Sequence, residues 1–101
     1  MILHNITFFI APDIEQQFRH FALGTLLPAV SAAESLTDPL ISRILAGEEA
    51  TLAPGYALQM KAESETVLHE ALTVYVEPLI RQMAQQHGEN FLTFSTSMEI
   101  L

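Results

Sequence analysis

Residues 2–10, ILHNITFFI, alternate with a period of two, and β-branched and aromatic side chains fill most of the positions. A helix brings i, i+3 and i+4 to one side, so a run with this period settles as an extended strand with two unlike faces. Ile2, His4, Ile6, Phe8 and Ile10 share the more apolar face, which should look toward helices; Leu3, Asn5, Thr7 and Phe9 share the other. Such a strand needs helical cover on one side only.

Pro12-Asp13 follows as a turn, and Asp13 with Gln16 three residues later has the pattern of a capping box. Ile14, Phe18, Phe21, Ala22, Thr25 and Ala29 then recur at helical spacing and predict a helix over 14–30. Pro28 lies inside it and frees the carbonyl of Gly24, which predicts a kink. A less regular strand is expected over 36–45, and a loop carrying Glu48 and Glu49 over 46–55. A third strand follows over 56–62, with Tyr56, Leu58 and Met60 opposite Ala57, Gln59 and Lys61.

Ser64 is placed to cap a second helix whose stripe is Leu68, Leu72, Tyr75, Leu79 and Met83. Pro78 interrupts it, freeing the carbonyl of Val74, and Gly88 after His87 is a stop signal. Residues 91–101 read as the last strand, with Leu92, Phe94, Met98 and Ile100 on one side and Thr93, Ser95, Ser97 and Glu99 on the other.

Strand, helix, strand, strand, helix, strand is the order of the ferredoxin-like α+β fold, βαββαβ, with a four-stranded antiparallel sheet and two helices on one face. The chain reads as one domain over 1–101. The bare sheet face is expected to carry Asn5, Thr7, Gln59, Lys61, Thr93, Ser95 and Ser97 together with Leu3, Phe9 and Leu101. A face so mixed calls for a second sheet against it, which makes the chain a homodimer through its sheet, an α-β barrel.

Twelve acidic against four basic residues, a net charge of −8, exclude a protein that neutralises several phosphates, so neither nucleic acid nor an anionic membrane is a partner. With no Cys there is neither disulfide nor thiolate chemistry. No run of about 18 apolar residues exists to span a membrane. The opening segment lacks the features of a leader, so a cytoplasmic protein is expected. No residue pattern calls for a metal or cofactor.

The opening ILHNITFFI, the helix DIEQQF running into LLPAVSAA, the strand YALQMKAES and the closing FLTFSTSMEIL together resemble a small bacterial family of unknown function, DUF4286, over nearly the whole chain. That family is similar to the dimeric α-β barrel proteins, among which are cofactor-free monooxygenases, isomerases, haem-dependent dismutases and ligand-sensing domains. The resemblance therefore implies the fold and the dimer and selects no activity. Where the family often carries a His two residues before the helix proline, this chain has Leu26.

Few residues carry chemistry. His69-Glu70 opens the zinc pattern H-E-x-x-H, but Thr73 stands in the second His position and the reading reduces to a solvated helix face. His4 is expected as a hydrogen-bonded core residue, and His87 as a cation at a helix C-terminus; His20 has no partner at a telling spacing. No Ser has His and carboxylate partners at a recognisable spacing, and no Gly-rich phosphate loop exists. The sequon Asn5-Ile6-Thr7 lies inside a strand. The uncharged group Asn5, Thr7, Gln59, Ser95 and Ser97 is the candidate ligand-binding set, lining the barrel for a small organic molecule; the same groups alternatively satisfy one another across a wet subunit interface. Arg43 and Lys61 lie near enough to neutralise Glu99 or an acidic ligand. A small-molecule-binding or accessory protein is favoured over an enzyme. The alternatives are a cofactor-free monooxygenase or isomerase on the same polar face and a purely structural dimer.

Overall fold

The computed structural model describes residues 1–45 and 54–101; the greater part of the expected 46–55 loop, with Glu48 and Glu49, lies outside them. Four strands, β1 (Ile2–Ile10), β2 (Thr37–Arg43), β3 (Gly55–Ala62) and β4 (Phe91–Glu99), form one sheet in the order β2-β3-β1-β4 with every neighbouring pair antiparallel. With two helical arms packed on one face this is the ferredoxin-like α+β fold. In β1 the residues His4, Ile6, Phe8 and Ile10 are buried under the arms, as their alternation requires. In β3 the same holds for Tyr56, Leu58, Met60 and Ala62.

The first arm comprises a short 3-10 turn (Pro12–Ile14), α1 (Glu15–Phe21), a π-turn (Ala22–Leu26) and α2 (Leu27–Ala32). The second comprises α3 (Glu65–Ala71), a π-turn (Leu72–Val76) and α4 (Glu77–His87). Each π-turn stands immediately before the residue that precedes a proline, Pro28 or Pro78. Widening the turn to i→i+5 accommodates a ring that cannot donate to the carbonyl four residues back. The kinks expected from the two prolines are thus local expansions.

The extra residue changes which side chains face inward. Phe18, Ala22, Leu26 and Val30 are buried at intervals of four, and Leu68, Leu72 and Val76 repeat the interval in the second arm. In a regular helix each such step overshoots by about 40°, so the stripe would leave the core within three steps; the wide turn brings it back. Thr25 and Tyr75, expected in the apolar stripes, are turned outward for this reason, and Leu26 and Val76 take their places.

The arm termini follow local chemistry. Ser64 caps α3, its Oγ accepting from the Val67 N–H at 3.2 Å. Asp13 makes no cap: Pro12 starts the turn and the Ala11 carbonyl takes the Ile14 N–H at 3.1 Å, leaving Asp13 as a first-turn acid. Gly88, at φ 55°, ends α4 in a backbone conformation suited to glycine. In β2 a bulge between Thr37 and Leu40 is built on Asp38 at φ 51°, a left-handed conformation that Asp tolerates.

Candidate functional site

Across the sheet face away from the arms, pairing aligns four rows. One row is Leu40, Gln59, Asn5 and Thr96; the next is Ser42, Ala57, Thr7 and Phe94. Outside these stand Thr37, Lys61, Leu3 and Met98 at one end and Gly55, Phe9 and Leu92 at the other. A small polar cluster, with Asn5 Nδ2 donating to Thr7 Oγ1 at 2.9 Å, is therefore rimmed by apolar side chains. Leu40, Leu92, Phe94 and Met98 are exposed by 41–58%. Phe9 and Phe94 meet edge to face with centroids 5.9 Å apart.

Asn5, Thr7 and Gln59 thus occupy the face expected of them, but Ser95 and Ser97 do not. Ser95 pairs with Ile6, Ser97 with His4 and Thr93 with Phe8, which puts all three hydroxyls on the helix side. The reason is Phe91, buried against Phe8 and Phe18 with centroids 5.8 and 6.1 Å away. Its inward ring fixes the parity of β4, so 93, 95 and 97 follow it inward and the apolar even-numbered residues turn out. Thr96 is the polar β4 residue that joins Asn5 and Gln59, and sequence alternation alone did not select it.

On the helix side the hydroxyls meet an apolar wall. A cleft of about 260 Å³ opens between β4 and the second arm, with Ile6, Leu72, Val76 and Ile80 as its apolar lining. His4, Thr93 and Ser95 supply polar groups, and Glu77 and Arg81 also border it. His4 is 5% exposed, and its Nδ1 lies 2.7 Å from Ser97 Oγ. Burial holds its pKa below the ordinary histidine value of 6.5, so the ring is neutral near pH 7. With Nδ1 engaged by Ser97, Nε2 is left as the nitrogen that can serve a ligand, as donor or acceptor according to tautomer. The expectation of a hydrogen-bonded core histidine is met, and the cleft adds an accessible side to it.

The remaining candidates do not converge. Arg43 Nε is 3.5 Å from Glu15 Oε2, and Lys61 Nζ is 3.2 Å from Asp38 Oδ2, so neither reaches Glu99. Glu99 itself pairs with Ile2, on the helix-side parity of β1. His69 is exposed, and Thr73 Oγ1 donates to its carbonyl at 2.8 Å, a helix back-bond. His87 is half-buried at the end of α4 and its Nε2 is buried without a hydrogen-bond partner among the described residues. Among the described residues no group of three or more His, Asp or Glu is arranged to hold a metal ion, and no helix is long and apolar enough to cross a membrane.

Three comparisons bear on the chain. The family described as "Domain of unknown function (DUF4286)" matches residues 1–101. No curated protein matches the sequence. Solved structures resemble it closely in fold and distantly in sequence. An antibiotic biosynthesis monooxygenase superposes with a TM-score of 0.74 at 9% identity, covering 100% of this chain and 99% of that one. An ethyl tert-butyl ether D (EthD) family protein from Bacillus halodurans gives 0.72 at 17% identity, over 99% and 100%. A dimeric ferredoxin-like protein from an uncultured marine organism gives 0.67 at 10% identity, over 100% and 95%. At these identities the likeness is one of fold.

Proposed function

The chain belongs to the DUF4286 family, and from that premise we propose a homodimeric binding protein of one domain, acting in the cytoplasm, that holds a compact organic molecule in the cleft between β4 and the second arm. The carrying observation is His4: a neutral, buried imidazole fixed by Ser97 at the side of a cleft whose apolar wall is Ile6, Leu72, Val76 and Ile80. Apolar walls with a few convergent polar groups are what small-molecule sites consist of. At about 260 Å³ the cleft lies under the usual range of about 300–1,000 Å³ for drug-sized ligands, which favours a single ring or short chain with one polar end. In this reading Ser95 serves the ligand and Ser97 holds His4, while Asn5, Thr7 and Gln59, with Thr96, satisfy one another across the two-fold axis of a sheet-to-sheet dimer.

Two observations support the dimer. The exposed rim of Leu40, Leu92, Phe94 and Met98 forms an apolar frame that water covers poorly, and a fold neighbour is named as dimeric. Catalysis is the second reading, and His4 favours it: a neutral imidazole at a cleft wall can take a proton from a carbon next to a carbonyl and return it to a neighbouring atom, an isomerisation with no cofactor.

Native mass spectrometry of gently purified protein tests the proposal. A dimer carrying extra mass is expected, with that mass lost in Ser95→Phe, which fills the cleft, while the dimer persists. Phe94→Glu should yield monomer. A parent protein that is monomeric overturns the shared sheet, and a dimer without bound mass that also takes up no added small aromatic or aliphatic acid reduces the protein to a structural dimer.

A further inference from the structure

A second cavity, of about 110 Å³, lies on the opposite flank, between the first arm and the β2–β3 edge. Its polar side chains are Arg19, Arg43 and Tyr56, and Ser42 borders it from β2 with its side chain on the parity of the opposite sheet face. Ala22, Leu23 and Ile41 make the rest. Acids outnumber Lys and Arg twelve to four in this chain, yet two of the four cations border this one small space, and no Asp or Glu among the described residues lines it. Its local sign is the reverse of the molecule's.

The nearby carboxylate, Glu15, is already engaged from behind. Its Oε2 accepts from the Tyr56 hydroxyl at 2.6 Å and faces Arg43 Nε at 3.5 Å. That contact uses the inner edge of the Arg43 guanidinium and leaves its terminal nitrogens as donors. Tyr56 is 5% exposed, so the phenol is a fixed, largely dehydrated wall. Burial, with the Glu15 hydrogen bond and charge, raises its pKa, while the charges of Arg19 and Arg43 oppose that rise, which places both guanidinia within electrostatic reach of the phenol.

From this arrangement we infer that the cavity is a binding site for a short aliphatic carboxylate, its anionic end between Arg19 and Arg43 and its carbons against Ala22, Leu23 and Ile41. Guanidinium groups bind carboxylates through paired charge-assisted hydrogen bonds. The volume admits a chain of a few carbons. The apolar half distinguishes a carboxylate with a tail from a symmetrical, fully hydrated anion such as phosphate.

The test is a titration followed in proton–nitrogen correlation spectra, with sodium butyrate as probe and sodium chloride and inorganic phosphate as controls at equal ionic strength. Saturable shifts at the amides of Arg19, Ser42 and Arg43 are expected, tighter for butyrate than for acetate, and weakened at least tenfold in Arg19→Gln. Arg19 is exposed and outside the Glu15 contact, so this variant keeps the fold, and Arg19→Lys should recover part of the affinity. Shifts that chloride reproduces, an Arg19→Gln variant that binds butyrate unchanged, or shifts centred on His4, Thr93 and Ser95 would overturn the site. Phosphate binding more tightly than butyrate would overturn the assignment to a carboxylate with an apolar tail.

Discussion

The two helical arms are built alike and cover unlike ground. Each has a π-turn just ahead of a proline and a buried stripe at intervals of four, with matching positions fifty residues apart, Phe18 with Leu68, Ala22 with Leu72 and Leu26 with Val76. Beneath the first arm the inward side chains are rings: Phe18 lies 5.0 Å from Tyr56, 5.2 Å from Phe8 and 6.1 Å from Phe91 between centroids. Beneath the second, aliphatic Leu72, Val76 and Ile80 face short β4 hydroxyls, and the 260 Å³ cleft remains. One backbone device therefore covers an aromatic core, with the 110 Å³ cavity at its outer edge, or an aliphatic recess, according to the girth of the side chains placed on it.

If that contrast is right, truncations on the two sides should differ in cost. Phe18→Ala, fully buried among four rings, should lose about 3–5 kcal/mol in urea unfolding. Leu72→Ala, at the margin of an existing recess, should sit at the low end of its class, about 2 kcal/mol. Equal losses would mean that the cleft wall is packed as tightly as the aromatic side.

Acid should discriminate next. The His4 pKa is depressed in the folded chain, so the unfolded chain binds its proton more readily. The stability that neutral His4 contributes is complete above pH 6.5 and is lost as pH falls from there toward the folded value. Denaturation midpoints measured between pH 7.5 and 5 should fall on acidification, and His4→Asn should flatten that slope; an unchanged slope would place the titrating group elsewhere. The smallest effect is expected at Gly24, exposed on the first π-turn where the second arm carries Val74. A Cβ there meets nothing within 4 Å, so Gly24→Ala should stabilise by about 0.5–1 kcal/mol in the same assay.

Where burial and periodicity act together the sequence is a sufficient guide. β1 and β3 lie under the arms, so their alternation is enforced and read directly, as are the Ser64 cap and the Gly88 stop. Two features escape for definable reasons. The π-turns each add a residue to the helical repeat, so a 3.6-residue count selects Thr25 and Tyr75 where the structure buries Leu26 and Val76. In β4 only Phe91 is buried, so alternation shows two faces without saying which is inside. Pairing with β1 decides it, and it divides the five expected site residues into Asn5, Thr7 and Gln59 on one side and Ser95 and Ser97 on the other.

That division gives β4 a double duty. Thr93 and Ser95 border the cleft, and Leu92, Phe94 and Met98 belong to the face proposed for the partner subunit. A strand one residue thick cannot be displaced on one side alone. Should ligand uptake shift β4, subunit association would feel it, and each would then alter the other's equilibrium by the same factor. An affinity for a small molecule measured on dilute, dissociating protein should then differ from one measured where dimers predominate.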